Sequence, residues 1–202
     1  MHDEEPIALI ACGIFKKEFK SLPKELKNKF HPHFLNSMLH MNPDLLDKAI
    51  SHIINKHPDK KLMLLYGDCS AHMHELASGS GRTRTDGLNC IEIFLGKDLY
   101  HTLRKQGTFF LMPEWALRWK EIFQKDLGLN NSSMAQEYLK ESIQQALYID
   151  TGVYPIPEAE LVAFSEYTGL PVSIYQAGSE HLIMALEKAY TIIISTQDTM
   201  NV

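Results

Sequence analysis

The residues of this 202-residue chain best suited to chemistry are its three cysteines, Cys12, Cys69 and Cys90. Each stands at or beside an end of an apolar, strand-like run: Ile7 to Cys12, Leu62 to Cys69, and Asn89 to Gly96. In an open α/β sheet, ligands and reactive groups collect at the carboxyl ends of the strands. Three thiolates delivered there from separate strands would hold a soft metal ion, or an iron–sulfur cluster with one position open. The wide spacing excludes a zinc ribbon and a Cys-x-x-Cys redox pair, so the fold itself must bring the three together. The competing reading is structural, because free cysteine is often buried as a small hydrophobe.

A mononuclear zinc needs a fourth donor, and His40 is the best candidate. It follows one strand-like run and precedes a helix start at Asn42-Pro43. A protein donor in the fourth position closes a zinc site structurally, whereas water or substrate there makes it catalytic. With a histidine in reach, thiolate-rich ligation places zinc slightly ahead of a cluster. The competing role for His40 is an ordinary core or surface histidine. His72 and His74 follow Cys69 by three and five residues, and only His72 would share its helical face. Asp68 reads better as a helix cap than as an acceptor behind a metal ligand.

The second chemical feature is the small, polar run Ser78 to Gly87, read as a loop. Ser80, Gly81, Arg82 and Arg84 are its candidate anion binders, offering backbone N–H groups and guanidinium forks. Between two cysteine-bearing elements, this loop is placed to act as a lid. A solvated, flexible loop is the alternative. It matches neither the phosphate-binding Gly-x-x-x-x-Gly-Lys-Ser/Thr pattern nor a Gly-x-Gly-x-x-Gly fingerprint. There is no Gly-x-Ser-x-Gly elbow and no Asp-x-His-x-x-Gly of corrinoid-carrying domains.

The positioning elements alternate. Strands are expected at 7–11, 33–40, 62–66, 90–95, 108–112, 172–175 and 190–195, from short apolar or β-branched runs. Helices are expected at 15–30 with a break at Pro23, from Asn42-Pro43 to His57, at 73–77, 98–105, 115–127, 133–148, 158–168 and 180–189. Ser133 with Gln136 resembles a capping box. Trp115, Trp119 and Phe123 read as core. Such alternation implies a single α/β domain over 1–202, with a largely parallel, Rossmann-like sheet and helices on both faces. The one candidate subdivision lies near 128–133.

Hydrophobic content of 45% and charged content of 22% are those of a soluble globular chain. A net charge of −5 argues against a nucleic-acid partner. No apolar stretch reaches the roughly 18 residues of a membrane span. The acidic opening Met-His-Asp-Glu-Glu-Pro lacks the basic start of a secretory leader. An odd number of unpaired cysteines fits a reducing compartment, and the cytoplasm is the expectation.

Several motifs, in order, resemble the family called domain of unknown function sixteen thirty-eight. They are Ala11-Cys12-Gly13, Leu39-His40 followed by Pro43, Tyr66-Gly67-Asp68-Cys69, Cys90-Ile91, Phe94-Leu95-Gly96, Tyr100 and Gly107 to Trp115. The resemblance covers most of the first 120 residues and implies an α/β fold. It also implies an association with anaerobic one-carbon metabolism and corrinoid-dependent methyl transfer, hence a methyltransferase or corrinoid protein as partner. It leads one to expect His-Asp before Cys90, where this chain has Leu88-Asn89. The combined expectation is a metal-binding protein, enzyme or accessory factor, using Cys12, Cys69, Cys90 and His40. The alternative is a non-catalytic α/β protein binding a small, anionic ligand or a partner.

Overall fold

The computed structural model describes residues 5–195, so the acidic opening Met1 to Glu4 lies outside it. The fold is mixed α/β, but its strands form two parallel sheets rather than one. The chain divides into two compact units: the described residues of Met1–Phe94 and Ser179–Val202, and Leu95–Gly178. The segment 128–133 lies inside the second unit.

In the first unit, β1 (Ile7–Cys12) is buried at all six positions because it lies between two neighbours. A 3-10 turn follows, then α1 (Lys16–Ser21) and α2 (Lys24–Lys27). Pro23 separates these helices by holding the preceding Leu22 in an extended conformation. Next come β2 (Phe30–Leu35), a 3-10 turn at Ser37–Met41, and α3 (Pro43–Lys56). The Asn42 side chain caps α3, accepting from the Leu45 N–H at 3.2 Å, with Pro43 in the first turn. Leu46, Ile50 and Ile54 form its buried stripe. After α3 come β3 (Leu62–Leu65), α4 (Met73–Ala77), β4 (Arg82–Arg84) and α5 (Cys90–Leu95). The strand order is β2-β1-β3-β4, parallel at every pairing.

The second unit runs α6 (Lys97–Lys105), β5 (Thr108–Leu111), α7 (Pro113–Leu117), a π-helical turn at Glu121–Asp126, α8 (Ser132–Leu139), β6 (Gln145–Asp150), α9 (Glu158–Thr168) and β7 (Val172–Gln176). Its sheet order is β5-β6-β7, again parallel. Trp119, Phe123, Tyr148 and Phe164 centre its core, with Trp119 and Phe123 edge-on to Phe164. The last helix, α10 (Glu180–Ser195), belongs to the first unit and packs on β3 and β4.

Several elements differ from expectation, for identifiable reasons. The run Cys90–Leu95 is a helix, not a strand: Ile91, Ile93, Phe94 and Leu95 are all buried, so its pattern carries no period. What decides it is Asn89, whose side chain accepts from the Glu92 N–H at 3.0 Å as a helix N-cap. The expected strand at 190–195 is the end of α10. Ile193 continues the buried stripe of Leu182, Leu186 and Ala189, and that overrides the β-branched composition. The expected loop 78–87 contains β4. The expected helix 133–148 stops at Leu139, is capped by Asn131 rather than Ser133, and yields to the buried strand β6. The second strand is 30–35, and His40 stands in the 3-10 turn beyond it.

Candidate functional site

The strand order β2-β1-β3-β4 puts a topological switch between β1 and β3, because the chain leaves β1 on opposite sides to form its two neighbours. A ligand crevice is expected outside the carboxyl ends at that point. Cys12 is the last residue of β1, and Cys69 lies four residues beyond the end of β3. Cys90 follows β4 as the first residue of α5. The fold therefore brings all three cysteines to one edge of one sheet, although Cys90 opens a helix rather than joining a strand.

Close backbone approach fixes this edge. A Cβ on Gly67 would lie 2.4 Å from the Asn89 Cα and the Leu88 carbonyl oxygen. The Asp68 N–H donates to that Leu88 carbonyl at 2.8 Å. The turn after β3 is thus stitched to the residues just before Cys90. Gly13 does the same on the other side, where a Cβ would lie 2.7 Å from the Leu35 carbonyl oxygen. Asn89 stands where the family resemblance suggested an aspartate, and its side chain caps α5. No histidine stands beside it, since position 88 is leucine.

The thiols share one neighbourhood. Burial pushes the Cys90 thiol well above the ordinary range, and the nearby Cys12 and Cys69 push it further. Burial also raises Cys69, with Asp68 adding to the rise while the Gly67 backbone and Arg84 oppose it. Both are therefore neutral thiols near pH 7, unsuited as activated nucleophiles. Tyr66 ends the apolar run of β3 and is 2% exposed. Burial first, then Cys12 and Cys69, raise its phenol far above the usual range. Its hydroxyl is shielded from solvent and has no hydrogen-bond partner. A buried hydroxyl of this kind calls for an explanation, and a bound ligand is one. Sequence reading passed over Tyr66; the available signal was a phenol ending an otherwise apolar strand directly before Gly67.

The remaining candidates are distributed differently. His40 is at the same edge, beyond β2, and its Nδ1 lies 2.6 Å from the Ser37 carbonyl oxygen. That contact requires the proton on Nδ1 and leaves the lone pair on Nε2, the arrangement of a metal-ligating imidazole. The neighbours that shift Cys69 and Cys90 do not include His40. His72 and His74 are exposed, and His72 faces Glu75 at 3.2 Å. Asp68 is not a cap: it pairs with Arg84 at 2.5 Å, which already neutralises that guanidinium. Ser80, Gly81 and Arg82 enter β4 at its amino end, level with the start of β3, so they lie across the sheet from the cysteines. Arg82 lies along Gly79.

The donor set is right in kind for a soft metal, but its positions are not yet set. Among the described residues, no three His, Cys, Asp or Glu side chains are arranged to hold a metal ion. No helix among them is long and apolar enough to cross a membrane.

No curated protein and no solved structure matches the chain. A family model matches residues 34–186, a span that takes in His40, Tyr66, Cys69 and Cys90 and begins after Cys12. That span is most of the sequence, and the chain belongs to the family described as "Protein of unknown function (DUF1638)".

Proposed function

We propose that the carboxyl edge of the first sheet is a thiophilic metal centre held by Cys12, Cys69 and Cys90. The observation that carries this reading is the buried, unpartnered Tyr66 hydroxyl beside two of the three thiols. An oxygen atom bound in the crevice would accept a hydrogen bond from it and satisfy it. A soft metal would also resolve the second oddity, the neutral thiols of Cys69 and Cys90, because coordination deprotonates thiols outright.

Zinc and an iron–sulfur cluster are the two groups this donor set suits. Zinc would need His40 Nε2 to turn inward and the thiols to draw together. A cluster spans a wider gap and takes three cysteines with one iron left open, so it asks for less movement. In function we place the protein as an enzyme or accessory factor of one-carbon, corrinoid-linked metabolism in a reducing, cytoplasmic setting. A methyltransferase or corrinoid protein would be its partner. That placement rests on the family resemblance.

The reading as an anion-binding module is weaker. Arg84 is held by Asp68, and Ser80, Gly81 and Arg82 lie at the opposite edge. Anaerobic purification with metal analysis decides between the two. About one zinc, or several irons with brown colour lost in air, supports the metal centre. Absence of stoichiometric metal, with none reconstituted from zinc or from iron and sulfide, sinks it.

A further inference from the structure

The amino edge of the same sheet carries a second cluster of donors, unrelated to the cysteines. His31 and His33 alternate with Pro32 along β2, so both imidazoles project from one face of an edge strand. His57 terminates α3 and brings a third ring alongside. The ring centres of His31 and His33 are 5.0 Å apart, and those of His33 and His57 are 5.8 Å apart. The three line a cleft of about 210 Å³ together with Pro6, Ala8 and the ion pair of Glu5 with Lys60. The Nε2 atom of His33 is shielded from solvent and has no hydrogen-bond partner.

We propose that His31, His33 and His57 form a binding site for a borderline divalent transition ion such as zinc, nickel or cobalt. Imidazole nitrogen is the donor type these ions prefer. Two imidazoles on one tetrahedral ion, with metal–nitrogen bonds of about 2.0–2.1 Å, have ring centres roughly 5 Å apart. The His31–His33 spacing of 5.0 Å meets that requirement, and the His33–His57 spacing of 5.8 Å lies somewhat beyond it. As the side chains stand, their nitrogens do not converge. Rotation about each Cβ–Cγ bond turns the nitrogens inward while leaving the ring centres nearly in place. The orphaned His33 Nε2 then gains a partner. Glu5 lines the same cleft and would offer a carboxylate for a fourth position, once released from Lys60.

Cobalt titration of the intact chain near pH 7.5, under reducing anaerobic conditions, tests this. The expected result is one saturable equivalent whose visible bands lack sulfur-to-cobalt charge transfer, counted apart from any cobalt that the cysteines take up with such a band. His31→Ala and His57→Ala should each weaken it at least tenfold, and replacement of the exposed His74 by alanine should leave it unchanged. His33→Ala should abolish it, with circular dichroism confirming the fold. Because His31 and His57 are more accessible than the core, their variants keep the test valid even where His33→Ala misfolds. The proposal is overturned by no saturable binding below about 100 µM, by wild-type affinity in both His31→Ala and His57→Ala, or by a thiolate charge-transfer band accompanying every bound cobalt.

Discussion

The two edges of the first sheet carry three soft donors each, and burial acts on them in opposite directions. At the carboxyl edge, desolvation raises the thiols of Cys69 and Cys90 and keeps them protonated. At the amino edge, the same desolvation lowers His33 and keeps it deprotonated. Burial favours the neutral form in both places, but neutral means proton-bearing for a thiol and proton-free for an imidazole. Any metal at the cysteines must therefore displace protons, whereas one at the histidines finds a ligand in the correct state. On the proposed readings, a single physical effect would make metal uptake at one edge strongly pH-dependent and leave the other ready near neutrality.

The two edges also differ in how tightly their backbones are held, and here the largest effect is expected. Gly67→Ala drives a Cβ into the backbone of Leu88 and Asn89, neither of which is the yielding end of a side chain. A loss of about 3 kcal/mol or more should follow, read from the urea midpoint. Gly81, at the amino end of β4, has φ of +70° but open space where a Cβ would go. Gly81→Ala should cost only about 1 kcal/mol, from backbone strain alone. Equal losses in the two variants would show that the carboxyl edge is not locked as described.

Tyr66→Phe comes next. A buried hydroxyl without a partner costs about 1–3 kcal/mol, so after chelator treatment the variant should match or exceed the wild type in stability. After reconstitution with metal the order should reverse, with the wild type gaining more. A variant destabilised in both conditions would place the hydroxyl in a structural role and remove the main support for a ligand at the crevice.

How much of this was legible follows from where periodicity carries information. The β1 run read directly as a short apolar stretch, the start of α3 from its Asn42 cap and first-turn Pro43, and α9 at its bounds. Cys90–Leu95 did not: a uniformly apolar run has no period, and only the Asn89 cap with the Glu92 N–H reveals a helix. The cysteines were legible as a set because three thiols next to glycines or strand ends are unusual. Their shared edge follows from parallel topology, and the switch between β1 and β3 needed strand order that no local pattern encodes. Tyr66 and the pairing of Asp68 with Arg84 were hidden for the same reason. The histidine cluster was half visible, since His31-Pro32-His33 is a strand-spaced pair, but His57 joins it only through the packing of α3.

Proton release separates the edges at smaller amplitude. Metal uptake by the cysteines near neutral pH should release up to one proton per thiol engaged, because the Cys69 and Cys90 thiols are both raised. Engagement of His33, whose imidazole is lowered, should release much less than one. Calorimetry of zinc binding in buffers of different ionisation enthalpy measures this directly, with His31→Ala and Cys69→Ser isolating each event. Equal proton counts in the two variants would erase the distinction drawn between the edges.

The smallest effect concerns stability against pH in chelator-treated protein. A thiol raised in the folded state stabilises the fold below its unfolded pKa and loses that contribution as pH rises through the folded value, so Cys90 weakens the alkaline limb. An imidazole lowered in the folded state acts in reverse. Its contribution is present above the unfolded pKa and fades as pH falls through the folded value, so His33 weakens the acid limb. His33 is only partly buried, and solvent screening limits the amplitude. His33→Gln should therefore raise the melting midpoint near pH 5.5 by no more than about a degree or two relative to wild type, with no gain near pH 8. Cys90→Ser should shift the alkaline limb alone. If His33→Gln instead moved the alkaline limb, or left the acid limb unchanged, the depressed imidazole at the amino edge would be ruled out, and with it the readiness of that edge to take a metal without giving up a proton.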